Sequence, residues 1–223
     1  MENCFIEGDL IYLRLPNIQK DVIDGNWHEW FNDDNITKYL YHGVYPNNLD
    51  KQIAIVEDNL TKDDMVLLSI VDKTTDKICG IVSLKDIDLL NRVAEITIVM
   101  DKGNYPENSP IETWALITQY GFEKLNLNKI NAGHHIGLWQ WVNKIELIGY
   151  KLEGYIKSTH IKYGKVNDMV RVGITAKDYY NLLEERKGKY LTSDFKSLLR
   201  QRRKENLCKK LGNMIDGLYE KNR

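Results

Sequence analysis

A chain of 223 residues, 43% of them hydrophobic and 28% charged, holds enough apolar material for an ordinary globular core, in one large domain or a domain with a small appendage. A formal net charge of −1 argues against bulk electrostatic attraction to nucleic acid or to an anionic membrane. Cys4, Cys79 and Cys208 are too scattered for a zinc site and odd in number, which speaks against a disulfide framework. Glu2, Glu7 and Asp9 stand where a signal peptide would be basic and then apolar, and no uninterrupted apolar run is long enough to span a bilayer, so the expected home is the cytoplasm.

In chain order, Leu10 to Leu15 reads as a strand closed by Pro16. Ile18 to Phe31 is an amphipathic helix, with Val22, Ile23, Trp27, Trp30 and Phe31 near one side and Gly25 weakening it. The run Asn32 to Asn35 breaks that helix, a short turn follows through Tyr39, and the loop Tyr41 to Asn48 leads into a helix from Leu49 to Leu60. The period then becomes that of strands: Met65 to Val71 and Ile78 to Leu84 form a hairpin, and Val93 to Met100 extends it into a meander. This last strand is apolar except for Glu95, the pattern of a central strand that carries one functional group.

After a loop from Asp101 comes a strongly marked helix start. Ser109 is placed to cap it, Pro110 suits the first helical position, and Glu112 completes a capping box, with the helix running to about Asn126. Strand, loop and helix N-terminus in succession can hold an anion. Lys129 to His135 is a short strand, and Leu138 to Ile148 a helix stopped by Gly149. Tyr150 to Ser158 and Asp168 to Thr175 are strands joined through Tyr163, Gly164 and Lys165. The order predicts a mixed α/β (α+β) fold with a mostly antiparallel central sheet flanked by helices. Beyond Lys177, Asp178 to Arg186 is a short helix and Ser193 caps a longer one, basic between Arg200 and Lys210. It is expected to dock on the domain or to form a homodimer with a second copy.

Four phrases carry a family resemblance: Trp27 to Leu40 (WHEWFNDDNITKYL), Ile87 to Ile96 (IDLLNRVAEI), Tyr120 to Ile130 (YGFEKLNLNKI) and Gly149 to Gly154 (GYKLEG). In this order and spacing they resemble the GNAT superfamily of acyl-CoA-dependent N-acyltransferases, in the branch of the ribosomal-protein alanine and amino-sugar N-acetyltransferases. The resemblance spans roughly residues 8 to 176. It implies a GNAT domain over 1–176, with 177–223 as a C-terminal helical extension.

The resemblance also implies a use for the central stretch. Acetyl-CoA, as co-substrate, would pair its pantetheine with the strand at Ile98, Val99 and Met100, where a backbone N–H near Val99 or Met100 would meet the oxyanion. Its pyrophosphate would rest on the loop and helix start at Asn108, Ser109 and Ile111. Glu95 is the first candidate base for the amine and His134 or His135 the second; alternation along a strand lets only one of the two histidines face the cleft. The acetyl group would pass directly to a primary amine of a small acceptor such as an amino sugar, or to an N-terminal amine, and the acceptor would meet Trp30, Tyr41 and His42. No metal is implied, and neither a membrane nor nucleic acid is an expected partner.

Two departures stand out against that pattern. The loop Tyr105 to Pro110 has neither of the family's glycines: Asn108 and Pro110 take their places, Tyr105 replaces the basic or amide residue, and Glu107 adds negative charge. Leu138 and Ile145 stand where the family often has an Asn and a proton-donating Tyr. A GNAT-fold binding or interaction module without the reaction is the alternative to the acyltransferase.

Overall fold

The computed structural model describes residues 3–191 and 195–220. The chain divides into two compact units, up to Ile130 and from Asn131 on. The strands form a mixed, mostly antiparallel eight-stranded sheet with flanking helices and a C-terminal helix.

In the first unit, β1 (Cys4–Glu7), β2 (Ile11–Arg14), β3 (Val66–Asp72), β4 (Ile78–Asp88) and β5 (Val93–Met100) pair in sequence order, each antiparallel to the next. Short turns join β1 to β2, β3 to β4 and β4 to β5, whereas residues 15–65, which carry the helices of this unit's first half, lie between β2 and β3. The strand β1 had no signal in the pattern, because its four residues are largely exposed.

The expected helix from Ile18 to Phe31 is two pieces. Ile18–Ile23 is a π-helical turn and Trp27–Trp30 is a short helix, α1. Asp21 explains the first piece. It is fully buried, takes both guanidinium nitrogens of Arg14 at 2.6 and 2.7 Å, and accepts from the Ser69 hydroxyl and the Asn17 amide. A buried carboxylate must be paired and hydrogen-bonded, so the chain winds to serve it. Asn26, at φ 53°, then turns the chain into α1. Gly25 allows this, because a Cβ there would lie 2.6 Å from the Asp21 carbonyl and from Ile78.

The short helix α2 (Asp34–Thr37) and α3 (Leu49–Leu60) follow, α3 with the predicted bounds. Trp27, Trp30, Val22, Val56, Leu67 and Ile78 form one buried apolar cluster. The last helix of this unit is α4 (Ser109–Glu123), with Ile111, Trp114, Ala115, Ile117 and Phe122 buried.

In the second unit, β6 (Lys129–His135), which begins in the first, is followed by α5 (Trp139–Ile145), flanked by 3₁₀ turns and closed by Gly149 at φ 93°. The expected single helix from Leu138 to Ile148 is thus shorter and tightened at both ends. Then come β7 (Lys151–Lys162) and β8 (Lys165–Thr175), a long hairpin turning at Tyr163 and Gly164, both at positive φ. Within this unit the strand order is β6-β8-β7. A bulge at Ser158 is pinned by Asp168, which accepts from the Tyr155 hydroxyl at 2.5 Å and the Ser158 amide at 2.7 Å. These two bonds hold its carboxyl below the usual range.

Helix α6 (Ala176–Glu185) begins with a full capping box between Thr175 and Asp178. The expected long tail helix is two, α7 (Phe195–Arg200) and α8 (Leu207–Glu220); the Ser193 cap lies outside the described residues. The side-chain amide of the buried Asn143 donates to the carbonyls of Arg203 and Glu205, which captures the connector between them. Helix α8 then lies on β7 of its own chain, with Gly212 against the Tyr155 ring and Lys157 paired with Asp216. The division at Lys177 rests on the extent of the family resemblance alone.

Trp30→Ala removes a large ring from a closed cluster, so it is expected to lower stability by about 3–5 kcal/mol. Urea unfolding reads this; a loss under about 0.5 kcal/mol, the range of surface substitutions, would take Trp30 out of the core.

Candidate active site

The candidate site of the first unit is assembled from β5, the loop after it and the first turn of α4. On β5, Glu95 faces Lys85 across the ladder, their charged atoms 3.1 Å apart. Burial pulls the Lys85 ammonium down, but Glu95 and Asp86 outweigh it and leave its pKa raised, so Lys85 stays charged. Glu95 is thus a partly buried side chain ion-paired with Lys85. Ile98, Val99 and Met100 stand opposite Val82, Ile81 and Gly80 of β4. Gly80 permits the close approach, since a Cβ there would meet the Val99 carbonyl at 2.7 Å. Next to them, the Ser83 and Thr97 hydroxyls are bonded across the strands at 2.7 Å.

The helix start differs from the expected capping box. Asn108, not Ser109, is the cap residue; it lies in the left-handed region at φ 72°, and no side chain caps the turn. Left-handed backbone is what glycine supplies at such a loop, and asparagine is among the residues that adopt it at least cost. Asn108 thus adopts a backbone conformation that glycine takes readily. Ser109 is the first helical residue, its amide bonded to the Pro106 carbonyl. Its hydroxyl and that of Thr113, one turn on, are both buried without a hydrogen-bond partner. Ile111 is buried as well.

Glu112 does not reach back to the cap. Its carboxylate crosses to the turn between β1 and β2, where it accepts from the amides of Asp9 and Leu10, the latter at 3.0 Å. Burial pushes its carboxyl above the usual range, against the downward pull of these amides. Read from the sequence, Ser109 and Glu112 matched the spacing of a capping box. Only the turn at Gly8, brought over 103 residues of chain, supplies the competing donors.

The expected acceptor residues are dispersed in character. Trp30 belongs to the buried cluster at 5% exposure, Tyr41 is 62% exposed, and the His42 ring packs 5.1 Å from Phe31. Residues 1–130 hold 12 Lys and Arg against 22 Asp and Glu, a formal −10, while residues 131–223 hold 19 against 10, a formal +9.

In the second unit both β6 histidines are buried. The His135 ring accepts the Gly137 amide at Nδ1 and stands edge-on to His160, 5.0 Å between centroids. Desolvation pushes His134 down to about 4, so it is neutral at pH 7. Among the described residues no group of three or more His, Cys, Asp or Glu is arranged to hold a metal ion, and no helix is long and apolar enough to cross a membrane.

No protein-family model matches the chain. Among known sequences, an uncharacterized N-acetyltransferase, p20 of Bacillus licheniformis, is 22% identical over 181 residues, 80% of this chain and 99% of that protein. Among solved structures, spermidine N-acetyltransferase from Vibrio cholerae, in complex with CoA and spermine, matches with a TM-score of 0.70 and 21% identity over 78% of this chain and all of that one, 100%. A GNAT-family acetyltransferase from Bacillus anthracis matches with a TM-score of 0.66 and 19% identity, over 77% of this chain and 98% of that one. The fold is the GNAT fold.

Two measurements probe this geometry. Asn108→Gly should change stability by less than about 1 kcal/mol, while Asn108→Val, β-branched at positive φ, should cost about 1–2 kcal/mol; equal effects would mean that the backbone leaves the left-handed region. At His134, the unfolded chain takes up a proton that the folded one refuses between pH 6.5 and about 4. Stability should therefore fall with falling pH across that window, by about 1.4 kcal/mol per unit at most. His134→Gln should flatten that slope in urea titrations, and an unaltered slope would assign it to other groups.

Proposed function

We propose that this protein is an acyl-CoA-dependent N-acyltransferase that moves an acetyl group from acetyl-CoA directly to a primary amine of a small cationic acceptor. The observation that carries this reading is the first turn of α4: no side chain caps it, and Asn108 supplies the left-handed backbone in place of glycine. In that turn the Ser109 amide is bonded to the Pro106 carbonyl and the Glu112 amide to the Asn108 carbonyl, so the Ile111 amide and the positive end of a 15-residue helix are what it can offer a pyrophosphate. Pro110 offers no N–H, and the buried hydroxyls of Ser109 and Thr113 are polar groups beside the same turn that still need partners.

The chemistry divides among residues already named. The main chain of Ile98, Val99 and Met100 would pair with the pantetheine and give an N–H to the thioester oxygen as it gains charge. The acceptor nitrogen attacks the carbonyl carbon, the carbon–sulfur bond breaks, and CoA leaves as the thiolate. The proton lost by the amine goes to Glu95, directly or through one water, with His134 as the alternative base. Ile145 cannot return a proton to sulfur, so solvent supplies it.

The acceptor class follows from charge. A formal charge of −10 over residues 1–130 favours cationic acceptors over anionic ones. One structural relative was crystallised with spermine, a small polyamine, and a polyamine would meet both requirements, a primary amine and positive charge. Tyr41 and His42 are the residues of the notional acceptor surface that a substrate can reach; Trp30, buried, would shape it from beneath.

Isothermal titration with acetyl-CoA and with desulfo-CoA tests the reading first. Micromolar binding is expected; absence of heat with both would leave a GNAT-fold interaction module. Where binding is seen, Glu95→Gln is expected to lower turnover about 10²-fold or more with little change in acetyl-CoA affinity. Unchanged turnover would pass the role of base to His134.

A further inference from the structure

Glu112 stands four residues into α4, in the helix whose first turn is read above as the pyrophosphate site. In a capping box it would spend its carboxylate on the amides of its own helix start and bring a negative charge to the place where phosphate oxygens must lie. The structure disposes of it otherwise. One carboxylate oxygen accepts from the Asp9 amide, and the Leu10 amide lies within 3.0 and 3.2 Å of the two oxygens. The side chain is 8% exposed, and Gly8 closes over it: a Cβ on Gly8 would come within 2.8 Å of Oε1.

We propose that Glu112 is a positioning residue for the acyl-CoA pyrophosphate: bonded to the turn between β1 and β2, its carboxylate fixes the first turn of α4 while keeping its own charge away from the Ile111 amide and the positive end of the helix. The inference rests on the acyltransferase reading and adds to it a residue and a device. Two main-chain donors from a distant turn engage the negative charge, so the helix start keeps its positive character for a ligand. Gly8 belongs to the same device, because a Cβ there would crowd the carboxylate and, at 2.9 Å, the Ile11 carbonyl of the same turn. The unpartnered hydroxyls of Ser109 and Thr113, buried one turn apart at the same helix start, are an independent mark that this end of α4 has bonding capacity that the protein itself does not fill.

A merely structural role is separated from a positioning one by the donor used. S-acetylpantetheine lacks the pyrophosphate and acetyl-CoA carries it, so the ratio of their kcat/KM values isolates the phosphate end. Glu112→Gln keeps the shape but turns an amide NH₂ toward the Asp9 and Leu10 donors, and is expected to lower the acetyl-CoA to S-acetylpantetheine ratio about tenfold. Gly8→Ala should lower it similarly, and the double variant should lose no more than the worse single one, since both break one contact. A ratio equal to that of the unsubstituted protein in both variants, or failure of both to fold, would overturn the inference and make the contact one of stability alone. If the unsubstituted protein binds acetyl-CoA, only the inference falls; if it binds none, the acyltransferase reading falls with it.

Discussion

A carboxylate in the first turns of α4 bonded to the main chain of the turn at Gly8 is the contact on which the candidate site depends. Helix α4 is otherwise held by apolar burial at Trp114, Ile117 and Phe122, and hydrophobic contact is indifferent to small rotations and slides of a helix. Directional bonds from Glu112 to the amides of Asp9 and Leu10 remove that freedom at the one end where it matters. With the helix start fixed, Asn108 takes the left-handed backbone and the loop from β5 meets the helix without a side-chain cap.

The net charge of −1 conceals a strong division. Acidic residues dominate up to Ile130 and basic ones from Asn131 on. Whole-chain charge governs solubility and long-range attraction to a large polyanion, but a small ligand responds to the local field within about a Debye length, roughly 8 Å at physiological salt. Part of the basic excess is spent within the second unit, as Arg203 pairs with Glu146 and Lys157 with Asp216.

The tail is part of the second unit's packing, not a loose appendage. Asn143 captures the carbonyls between α7 and α8, Cys208 is fully buried, and the contact of Gly212 with the Tyr155 ring brings α8 close to β7. Tyr155 in turn is held by Asp168, the residue that pins the β7 bulge. Tail helix, aromatic ring and bulge thus form one connected set of contacts.

Elements with a strong local pattern were legible from residues alone. The strands Val93–Met100 and Lys129–His135 and the helix Leu49–Leu60 have the bounds that periodicity and caps assign, because alternation and capping act over a few residues. The GNAT fold was legible through four phrases in order. What the sequence could not decide is where a side chain with two possible partners goes. Asp21 reshapes a would-be helix because Arg14 and Ser69 reach it, and Glu112 abandons the capping box because distant amides arrive first. Asn108 could be seen as the loss of a glycine but not as its conformational replacement, since φ at that position is imposed by the loop and helix around it. Local spacing fixes which bonds are available; burial of the competing donors, a tertiary event, decides which are made.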